Sequence, residues 1–354
     1  MDQTANKLVT FSRKLQFEDL ARRTIINAKA RLINCLGVSI GAHKSPTVKI
    51  ARKLAYPIVF GPTARTLATL TPTTPDLAAF VNSAMTRYLD MADTRIGASV
   101  SHPADALPGL LAVAESEGCS GEEFLLAIVI AYEIQCRFVD VVPMNKLGWD
   151  QTSVVAIGTA LGASRLMGLD KRQMLNALSL ALIPCVALNQ TRTDRISMWK
   201  GMAGPAGARQ GVFASLLARE GMSGPDQPFE GDYGFWKQMF GEQYQRPVPN
   251  KFSKHSFAVE ETVIKSFPIR FNCHAPVFAA LDLRKKVKIN EIKSLEIRSI
   301  RQAFERWIHL PEFWEPASRE SADHSLPFCV SVAMLDGDIT PETFDNKRYR
   351  NRDV

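Results

Sequence analysis

The feature that most constrains this fold is helical periodicity, which recurs from near the amino terminus to residue 240. Apolar residues repeat at helical spacing over 19–40, 75–90, 121–142, 152–167, 171–184 and 203–219. Gly168, Gly221 and Pro225 supply helix stops. Residues 121–136 and 152–163 are apolar nearly all round, as the central helices of a thick core must be. The spacing therefore predicts a large all-helical domain.

The composition changes after residue 240, where Pro247 and Pro249 mark a linker or long loop. Beyond it, Ala275–Lys286 has the pattern of a helix, and Lys293–Ile300 alternates polar and apolar residues as a strand does. We predict a mainly α protein, with an all-helical domain over residues 1–255 and a smaller α+β domain over 256–354.

Composition excludes several classes of protein. The chain has 354 residues, of which 46% are hydrophobic and 22% charged. No apolar run approaches the roughly 18 to 20 residues of a membrane span. The first residues lack the basic and then apolar order of a secretory signal. We expect a cytoplasmic protein that does not bind membranes, with the mitochondrial matrix left open.

The cysteine and charge patterns limit the kinds of metal site and binding partner that the chain can have. The six cysteines are scattered without zinc-ligand spacing, so neither disulfides nor a metal site is expected. The net charge of +7 suits an anionic partner, but no nucleic-acid-binding motif accompanies the basic residues. A small polyanionic substrate explains the sign of the charge equally well.

The segment 89–105 has the composition of an acid–base site, because it carries Asp90, Asp93, Thr94 and His102 around one short loop. Gly97 and Pro103 interrupt the helical pattern there, and functional residues tend to collect in irregular backbone. Taken singly, an aspartate or threonine in such a loop is more often a helix cap, and a histidine is more often a structural residue.

The segment 191–201 places Arg192, Arg195 and Lys200 just before a helix of small residues. Cations and the backbone N–H groups of a helix start together bind carboxylates well. A solvated basic loop explains the charges equally well. Two further motifs contain His274 and His324, although a lone histidine is more often structural.

In chain order these motifs resemble the MmgE/PrpD family, whose members include 2-methylcitrate dehydratase, cis-aconitate decarboxylase and an iminodisuccinate epimerase. The similarity spans about residue 20 to residue 340. It is carried by Leu89-Asp90-x-x-Asp93-Thr94, Ser101-His102-Pro103-Ala104-Asp105, Asn145-Lys146-x-Gly148-Trp149-Asp150, Met198-Trp199-Lys200-Gly201, Ala208-Arg209-x-Gly211, Gly221-x-x-Gly224-Pro225 with Phe229-Glu230-Gly231, Ser266-Phe267-Pro268 and Asp323-His324-Ser325-Leu326-Pro327.

The resemblance implies a large all-helical domain joined to a smaller α+β lid domain, with the active site in the cleft between them. It also implies a homodimer that uses neither a metal nor an organic cofactor. The active-site residues would be Asp90, Thr94, His102, Lys200 and His274. Family members generally continue beyond the equivalent of residue 354, so the lid is expected to be incomplete.

The implied chemistry is removal of a proton or loss of CO2 next to a substrate carboxylate, with expulsion of a β-hydroxyl in the dehydratases. We hypothesise that His102 exchanges the proton, Lys200 binds a carboxylate and Asp90 orients a neighbour. His274 completes the predicted catalytic residues. Substrate binding is predicted for Thr94, Arg192, Arg195, Asp150, Gln151 and His324.

Two positions depart from the family pattern. Gln151 stands where methylcitrate dehydratases carry a histidine, and Phe328 replaces the tyrosine that usually follows the Asp-His-Ser motif. Seven residues separate Thr94 from His102, a spacing that favours the dehydratase. The sequence predicts a cofactor-independent lyase that dehydrates 2-methylcitrate or another alkyl citrate. A cis-aconitate-type decarboxylase and a catalytically impaired, carboxylate-binding or dimerising relative are the alternatives.

Overall fold

The computed structural model describes residues 2–193, 196–241, 252, 256–304 and 309–354. These residues are mainly helical, as the periodicity predicts, and the chain divides into two compact units. The larger unit comprises Met1–Tyr88, Ala92–Thr191 and Gly201–Ile264. The smaller unit comprises Leu89–Met91, Arg192–Lys200 and Lys265–Val354.

The larger unit is built from helices. They are α1 (Gln3–Lys14), α2 (Arg22–Ala42), α3 (Pro46–Arg52), α4 (Pro75–Tyr88), α5 (Leu107–Glu117), α6 (Gly121–Val141), α7 (Thr152–Leu166), α8 (Lys171–Leu182), α9 (Ala203–Arg219) and α10 (Phe235–Phe240). Of these, α2, α4, α6, α7, α8 and α9 follow the six predicted segments within a few residues. Gly168 and Gly221 both have positive φ angles, which allows the chain to turn shortly after α7 and α9. The six predicted helices and the stops at Gly168 and Gly221 are therefore confirmed.

The core of this unit is formed by α6, α7 and α9. Helix α6 begins with a capping box, in which Ser120 accepts from the Glu123 N–H, and it buries its apolar residues on all sides. Small residues allow the helices to approach closely. A Cβ on Gly158 of α7 would lie 2.7 Å from Gln135, and one on Gly211 of α9 would lie 2.6 Å from the Ala156 carbonyl oxygen. The small residues in these segments are therefore required by packing.

The larger unit also contains two short antiparallel ribbons, so the prediction that it is all-helical is wrong in detail. Strand β1 (Ala64–Arg65) pairs with β2 (Pro72–Thr73), and β3 (Arg95–Ile96) pairs with β4 (Val100–Ser101). Strands of two residues are too short to show a period-2 pattern in the sequence. The second ribbon leads directly into His102.

The smaller unit is helical in the residues described. Its helices are α11 (His274–Arg284), α12 (Arg301–Phe304), α13 (Arg319–Ala322), α14 (Leu326–Asp336) and α15 (Pro341–Asp345). Helices α11 and α14 form its core, in which Val277, Cys329 and Val332 are fully buried. Arg284 donates hydrogen bonds to the carbonyls of Met334 and Leu335, which satisfies the end of α14.

The strand predicted over Lys293–Ile300 is not formed, and no β-strand occurs in 265–304 or 309–354 of the smaller unit. A strand needs a neighbour to exchange backbone hydrogen bonds, and none of the described residues pairs with this segment. Leu295 and Ile300 are exposed, so the apolar positions of this alternating segment do not face a core. The alternation alone was therefore misleading. The α+β composition expected for this domain is therefore not seen in the residues described.

None of the helices in the described part of the chain is both long and apolar enough to cross a membrane. The six cysteines are all free thiols.

Candidate active site

The ribbon β3–β4 is held against helix α6 by close backbone packing. A Cβ on Gly97 would lie 2.7 Å from Asp140 Cα and 2.8 Å from the Val139 carbonyl oxygen. Ser99 donates its N–H to Val139 O at 3.0 Å and its hydroxyl to Val142 O at 2.8 Å. Glycine is therefore required at position 97, and the segment that precedes His102 has little freedom to move.

Charged residues fix the same ribbon from its side. Arg95 donates to both oxygens of Asp140, at 2.8 and 3.0 Å, and lies 2.7 Å from Glu261. Arg137, one turn before Asp140 on α6, contacts Asp140 at 3.2 Å and Glu261 at 3.4 Å. Because the charges form a network, they restrain the ribbon more than an isolated surface pair would.

His102 lies at the end of this ribbon and is buried, with 7% of its surface exposed. Its Nδ1 is 3.0 Å from the Asp93 carbonyl oxygen and 3.2 Å from the Thr94 hydroxyl. Its backbone N–H donates to Gln151 Oε1 at 2.8 Å. We call Asp93, Thr94, His102 and Gln151 the His102 cluster.

These contacts fix the tautomer of His102. A carbonyl oxygen can only accept a hydrogen bond, so Nδ1 must carry the hydrogen that it donates to Asp93 O. In the neutral ring, Nε2 then holds the lone pair and can accept a proton. A ring held in this way at Nδ1 can act as a general base through Nε2.

The structure brings two predicted substrate-binding residues, Thr94 and Gln151, together with His102. Gln151 uses its amide oxygen to hold the His102 backbone. Asp150, which is also predicted to bind substrate, accepts hydrogen bonds from the N–H and hydroxyl of Thr152 at the start of α7. Substrate binding by Asp150 stays a prediction.

A second group of polar residues lies in the smaller unit and consists mainly of charges. Lys200 Nζ is 2.7 and 3.0 Å from the two oxygens of Asp323, and 3.5 Å from Asp90 Oδ2. Lys265 Nζ is 2.7 Å from Asp90 Oδ1. Together with His324, whose Nδ1 is 3.1 Å from Lys200 Nζ, we call these residues the Lys200 cluster. All five are buried, and Lys200 has only 5% of its surface exposed.

Alternating charge explains how these groups can be buried together. Two ammonium groups face two carboxylates, so the charges balance, and each carboxylate contacts a lysine at 2.7 Å. Burial alone would raise the pKa of Asp323, but the Lys200 ammonium and His324 outweigh it and lower this pKa. Asp323 is therefore an ionised carboxylate that holds Lys200.

Asp90 lies on strained backbone, with a φ of +54°. This left-handed conformation is uncommon for residues other than glycine, although aspartate and asparagine adopt it more readily than most. It places the carboxylate within reach of both lysines. Such strain is typical of functional positions, where surrounding contacts over-determine the backbone.

Two histidines of the smaller unit are neutral at physiological pH. Burial, and next the Lys200 charge, lowers the pKa of His324 to about 4. Its Nδ1 lies 2.5 Å from Asp323 Oδ1 and must donate to that carboxylate. Burial, and next the Lys265 charge, lowers the pKa of His274 to about 4 as well.

His274 also presents a buried acceptor. It hydrogen-bonds the Ile269 backbone, whereas its Nε2 is buried without a partner among the atoms described. In the neutral ring the nitrogen that contacts the backbone carries the hydrogen, so Nε2 holds the lone pair. A buried polar atom without a partner is costly unless a ligand or water satisfies it. His274 Nε2 is therefore suited to accept a hydrogen bond from a substrate.

Asp90, Asp323 and His324 could in principle hold a metal ion, because one donor atom from each lies within 4.8 Å of the others. The ammonium of Lys200, however, lies between 2.7 and 3.5 Å from all three residues. A divalent cation at this position would meet that charge at close range. The donor set therefore fits the ammonium group better than a metal ion.

The remaining predicted residues are placed as follows. Arg192 is half-buried at the end of the short helical turn Asn189–Arg192, and Arg195 lies outside the described residues. Phe328, the second departure from the family pattern, packs on Phe344 and Tyr349 in the core of the smaller unit. An apolar ring there needs no hydrogen-bond partner.

No role was predicted for Lys265, which immediately precedes the Ser266-Phe267-Pro268 motif, or for Asp323, which begins the Asp-His-Ser motif. Lys265 is a charged residue next to a motif that ends in proline, and Asp323 is a charged residue next to a motif histidine. Lys265 is 175 residues from Asp90, and Asp323 is 123 residues from Lys200. A charged residue next to a motif histidine was the available signal, but the pairing itself could be seen only in three dimensions.

Comparison with known proteins gives consistent matches along the chain. A family model described as the MmgE/PrpD N-terminal domain matches residues 6–247, and one described as the MmgE/PrpD C-terminal domain matches residues 267–354. The "Probable 2-methylcitrate dehydratase" of Saccharomyces cerevisiae is 28% identical, over 92% of this chain and 67% of that protein.

Two other relatives represent different activities. The "2-methylcitrate dehydratase" of Escherichia coli K12 is 28% identical, over 91% of this chain and 70% of that protein. The human "Cis-aconitate decarboxylase" is 29% identical, over 76% of this chain and 57% of that protein.

Proposed function

This chain belongs to the MmgE/PrpD family, and from this premise we propose that it is a cofactor-independent lyase acting on a tricarboxylate. The proposed reaction is dehydration of 2-methylcitrate or another alkyl citrate. It removes a proton from the carbon next to a carboxylate and the β-hydroxyl group from the neighbouring carbon. A carbon–carbon double bond and water are the products.

The observation that carries the proposal is the buried Lys200 cluster. A proton next to a carboxylate is only weakly acidic, because its removal places further negative charge on a group that is already an anion. Buried ammonium groups stabilise such charge more strongly than they would in water, and Asp90 and Asp323 hold them in position beforehand. In this proposal Lys200 and Lys265 bind substrate carboxylates.

The His102 cluster supplies the base in this proposal. Nδ1 is held by the Asp93 carbonyl, so the lone pair on Nε2 takes the proton from the substrate carbon. Thr94 contacts the ring at Nδ1, and Gln151 holds the backbone N–H of His102. The protonated ring is then an acid that can return a proton to the departing hydroxyl, so that the proton balance closes without another reagent.

His274 contributes an acceptor for the substrate. Its pKa of about 4 leaves Nε2 unprotonated at neutral pH, and a substrate hydroxyl could donate to it. Asp90 orients both lysines. We further propose a homodimer with a small-molecule substrate, as the family resemblance implies.

Decarboxylation of cis-aconitate is the second candidate. The human decarboxylase is 29% identical to this chain and the dehydratases are 28% identical, so identity does not separate the two activities. Both reactions build charge next to a carboxylate and would use the same buried lysines. The presence of Gln151 in place of histidine leaves a third outcome, binding without turnover.

The test is to incubate the purified protein with 2-methylcitrate, citrate or cis-aconitate. The ultraviolet absorbance of a conjugated alkene and the release of CO2 are followed, with His102→Ala as the matched control. We expect an absorbance increase from 2-methylcitrate without CO2. Release of CO2 from cis-aconitate would identify the decarboxylase instead. Thermal stabilisation by a tricarboxylate without either product would identify a binding protein.

A further inference from the structure

The side chain of Asp93 is fully buried in the larger unit and has no role in the chemistry proposed above, which uses only the backbone carbonyl of this residue. It lies one residue before Thr94, and Cys35 and Cys136 are its neighbours on helices α2 and α6. A buried carboxyl group next to a proposed base needs an explanation, because burial of an unpaired charge is strongly unfavourable.

The backbone and side chain of Asp93 each form a hydrogen bond with the segment that carries His102. The Asp93 carbonyl oxygen accepts from His102 Nδ1 at 3.0 Å, and its carboxyl Oδ1 accepts from the Ala104 N–H at 3.1 Å. The His102 carbonyl in turn accepts from the Asp105 N–H at 3.0 Å. One residue therefore fixes both the ring of His102 and the chain two residues after it.

The carboxyl group of Asp93 has no cationic partner within ion-pair distance among the residues described. Arg31 is the nearby cation, but its guanidinium donates to the hydroxyl and carbonyl oxygens of Thr262 and to Asn27. The second carboxyl oxygen, Oδ2, and the Tyr132 hydroxyl are buried and make no hydrogen bond of normal length among the residues described, although the Thr262 and Tyr132 side chains lie near enough to lower the pKa of the carboxyl group. A carboxylate here would be a buried charge without a cation in ion-pair contact, whereas a carboxylic acid carries no charge.

We propose that Asp93 is the positioning residue of His102 and acts as an uncharged hydrogen-bonding group. Oδ1 is the acceptor for Ala104, and Oδ2 carries a proton. The inference rests on the proposed function only in giving His102 the role of base. The geometry itself lies within the larger unit.

The surroundings favour the uncharged form. Burial raises the pKa of Asp93, and this outweighs the lowering effects of Thr262, the Ala104 amide and Arg31. The titratable groups that face it are Arg31 and Cys35 from α2, and Tyr132 and Cys136 from α6. Burial also raises the pKa of both thiols and of the phenol, so they are uncharged at neutral pH.

The decisive variants are Asp93→Asn and Asp93→Ala. Asparagine keeps the acceptor for Ala104 and replaces the acid O–H by an N–H donor, so kcat should stay within about 3-fold of the wild type. Alanine removes the acceptor, and kcat should fall about 10- to 100-fold with little change in KM, as for other residues that orient a functional side chain. Asp170→Asn, at the exposed amino-terminal cap of α8, is the matched control.

A readout independent of turnover is the nitrogen NMR spectrum of His102 in 15N-histidine-labelled protein, assigned with His102→Ala. Alanine keeps the carbonyl oxygen at position 93 but removes the side-chain acceptor that holds Ala104, so the segment that carries His102 is released. We therefore expect the Nδ1–H tautomer in the wild type and in Asp93→Asn, and a mixture of tautomers in Asp93→Ala. If no tricarboxylate is turned over, the proposed function fails while this spectrum still tests Asp93. An unchanged spectrum in a folded Asp93→Ala protein would overturn the positioning role.

The charge state is tested by thermal unfolding as a function of pH. When folding raises the pKa of an aspartate, the protein loses stability as the pH rises from about 4 through the pKa of the folded state. The melting temperature of Asp93→Asn relative to the wild type should therefore increase with pH. A difference that stays flat or shrinks, or an Asp93→Asn enzyme more than about 10-fold slower, would show that the charge is needed and would overturn the proposal even if the alanine variant does not fold.

Discussion

Around His102 the contacts are hydrogen bonds to backbone and amide groups, whereas around Lys200 they are contacts between charges. His102 is held by the Asp93 carbonyl and the Gln151 amide, neither of which titrates near neutral pH. Lys200 is held by two carboxylates. The first arrangement fixes the direction of a ring, and the second keeps cations out of water. We expect the two clusters to respond differently to substitution and to pH.

The largest effect should come from Lys200→Met, which removes a buried charge but keeps most of the side-chain volume. It leaves Asp90 and Asp323 with Lys265 as the remaining ammonium group. We expect the free energy of unfolding to fall by about 3–5 kcal/mol. kcat/KM should fall by about 10³-fold.

Denaturant unfolding and steady-state kinetics measure these two changes. The control is Lys288→Met, which removes an exposed pair with Glu291 and should change stability by less than about 0.5 kcal/mol. Equal stability of Lys200→Met and the wild type would contradict the charge-based account of this cluster.

The pH dependence of stability should come mainly from the smaller unit. His274 and His324 have pKa values of about 4 when folded and about 6.5 when unfolded. The unfolded chain therefore binds more protons between these values, and stability falls as pH drops from about 6.5 to 4. The loss is at most about 3 kcal/mol for each ring.

Unfolding measured at a series of pH values checks this expectation. A His324→Gln variant should flatten the curve, because its side chain does not titrate. A profile that is already flat between pH 4 and 6.5 in the wild type would mean that these rings are not buried in the neutral form.

His102→Ala should reduce activity far more than stability. kcat should fall by at least about 10²-fold, because a general base is lost. The free energy of unfolding should fall by only about 1–2 kcal/mol, since the lost contacts are hydrogen bonds between neutral groups. If the variant is destabilised as strongly as Lys200→Met, the distinction between the two clusters is wrong.

The smallest effect concerns the backbone of Asp90. Asp90→Asn and Asp90→Ala both remove the charge, but asparagine tolerates the left-handed φ of +54° better than alanine does. The alanine variant should therefore be less stable than the asparagine variant by about 1 kcal/mol. Equal melting curves for the two proteins would show that the strain at this position is relieved by other means.

The sequence was informative where local pattern determines structure. Helical spacing located α2, α4, α6, α7, α8 and α9 within a few residues, because each buries a continuous apolar stripe or surface. Motif order located His102, Asp90 and Lys200. The ribbon β3–β4 escaped detection because its strands have two residues each.

What the sequence could not predict are pairings between distant residues. Lys265 meets Asp90 from 175 positions away, and neither residue carries a local signal of the other. The Gln151 amide contacts His102 from 49 positions away. The sequence shows that Gln151 departs from the family pattern, but not that it forms this hydrogen bond. The alternation at Lys293–Ile300 was misleading because a strand also requires a neighbour.

The free thiols provide a way to observe each part of the molecule separately. Cys35 and Cys136 are buried in the larger unit, and Cys273 and Cys329 are buried in the smaller one. Burial raises the pKa of Cys35 to about 12, so its reactive thiolate is scarce while the protein is folded. Because all four sulfurs are buried, alkylating reagents can reach them only when the surrounding helices open. Mass spectrometry of the labelled peptides would report the opening rates of both units in one sample.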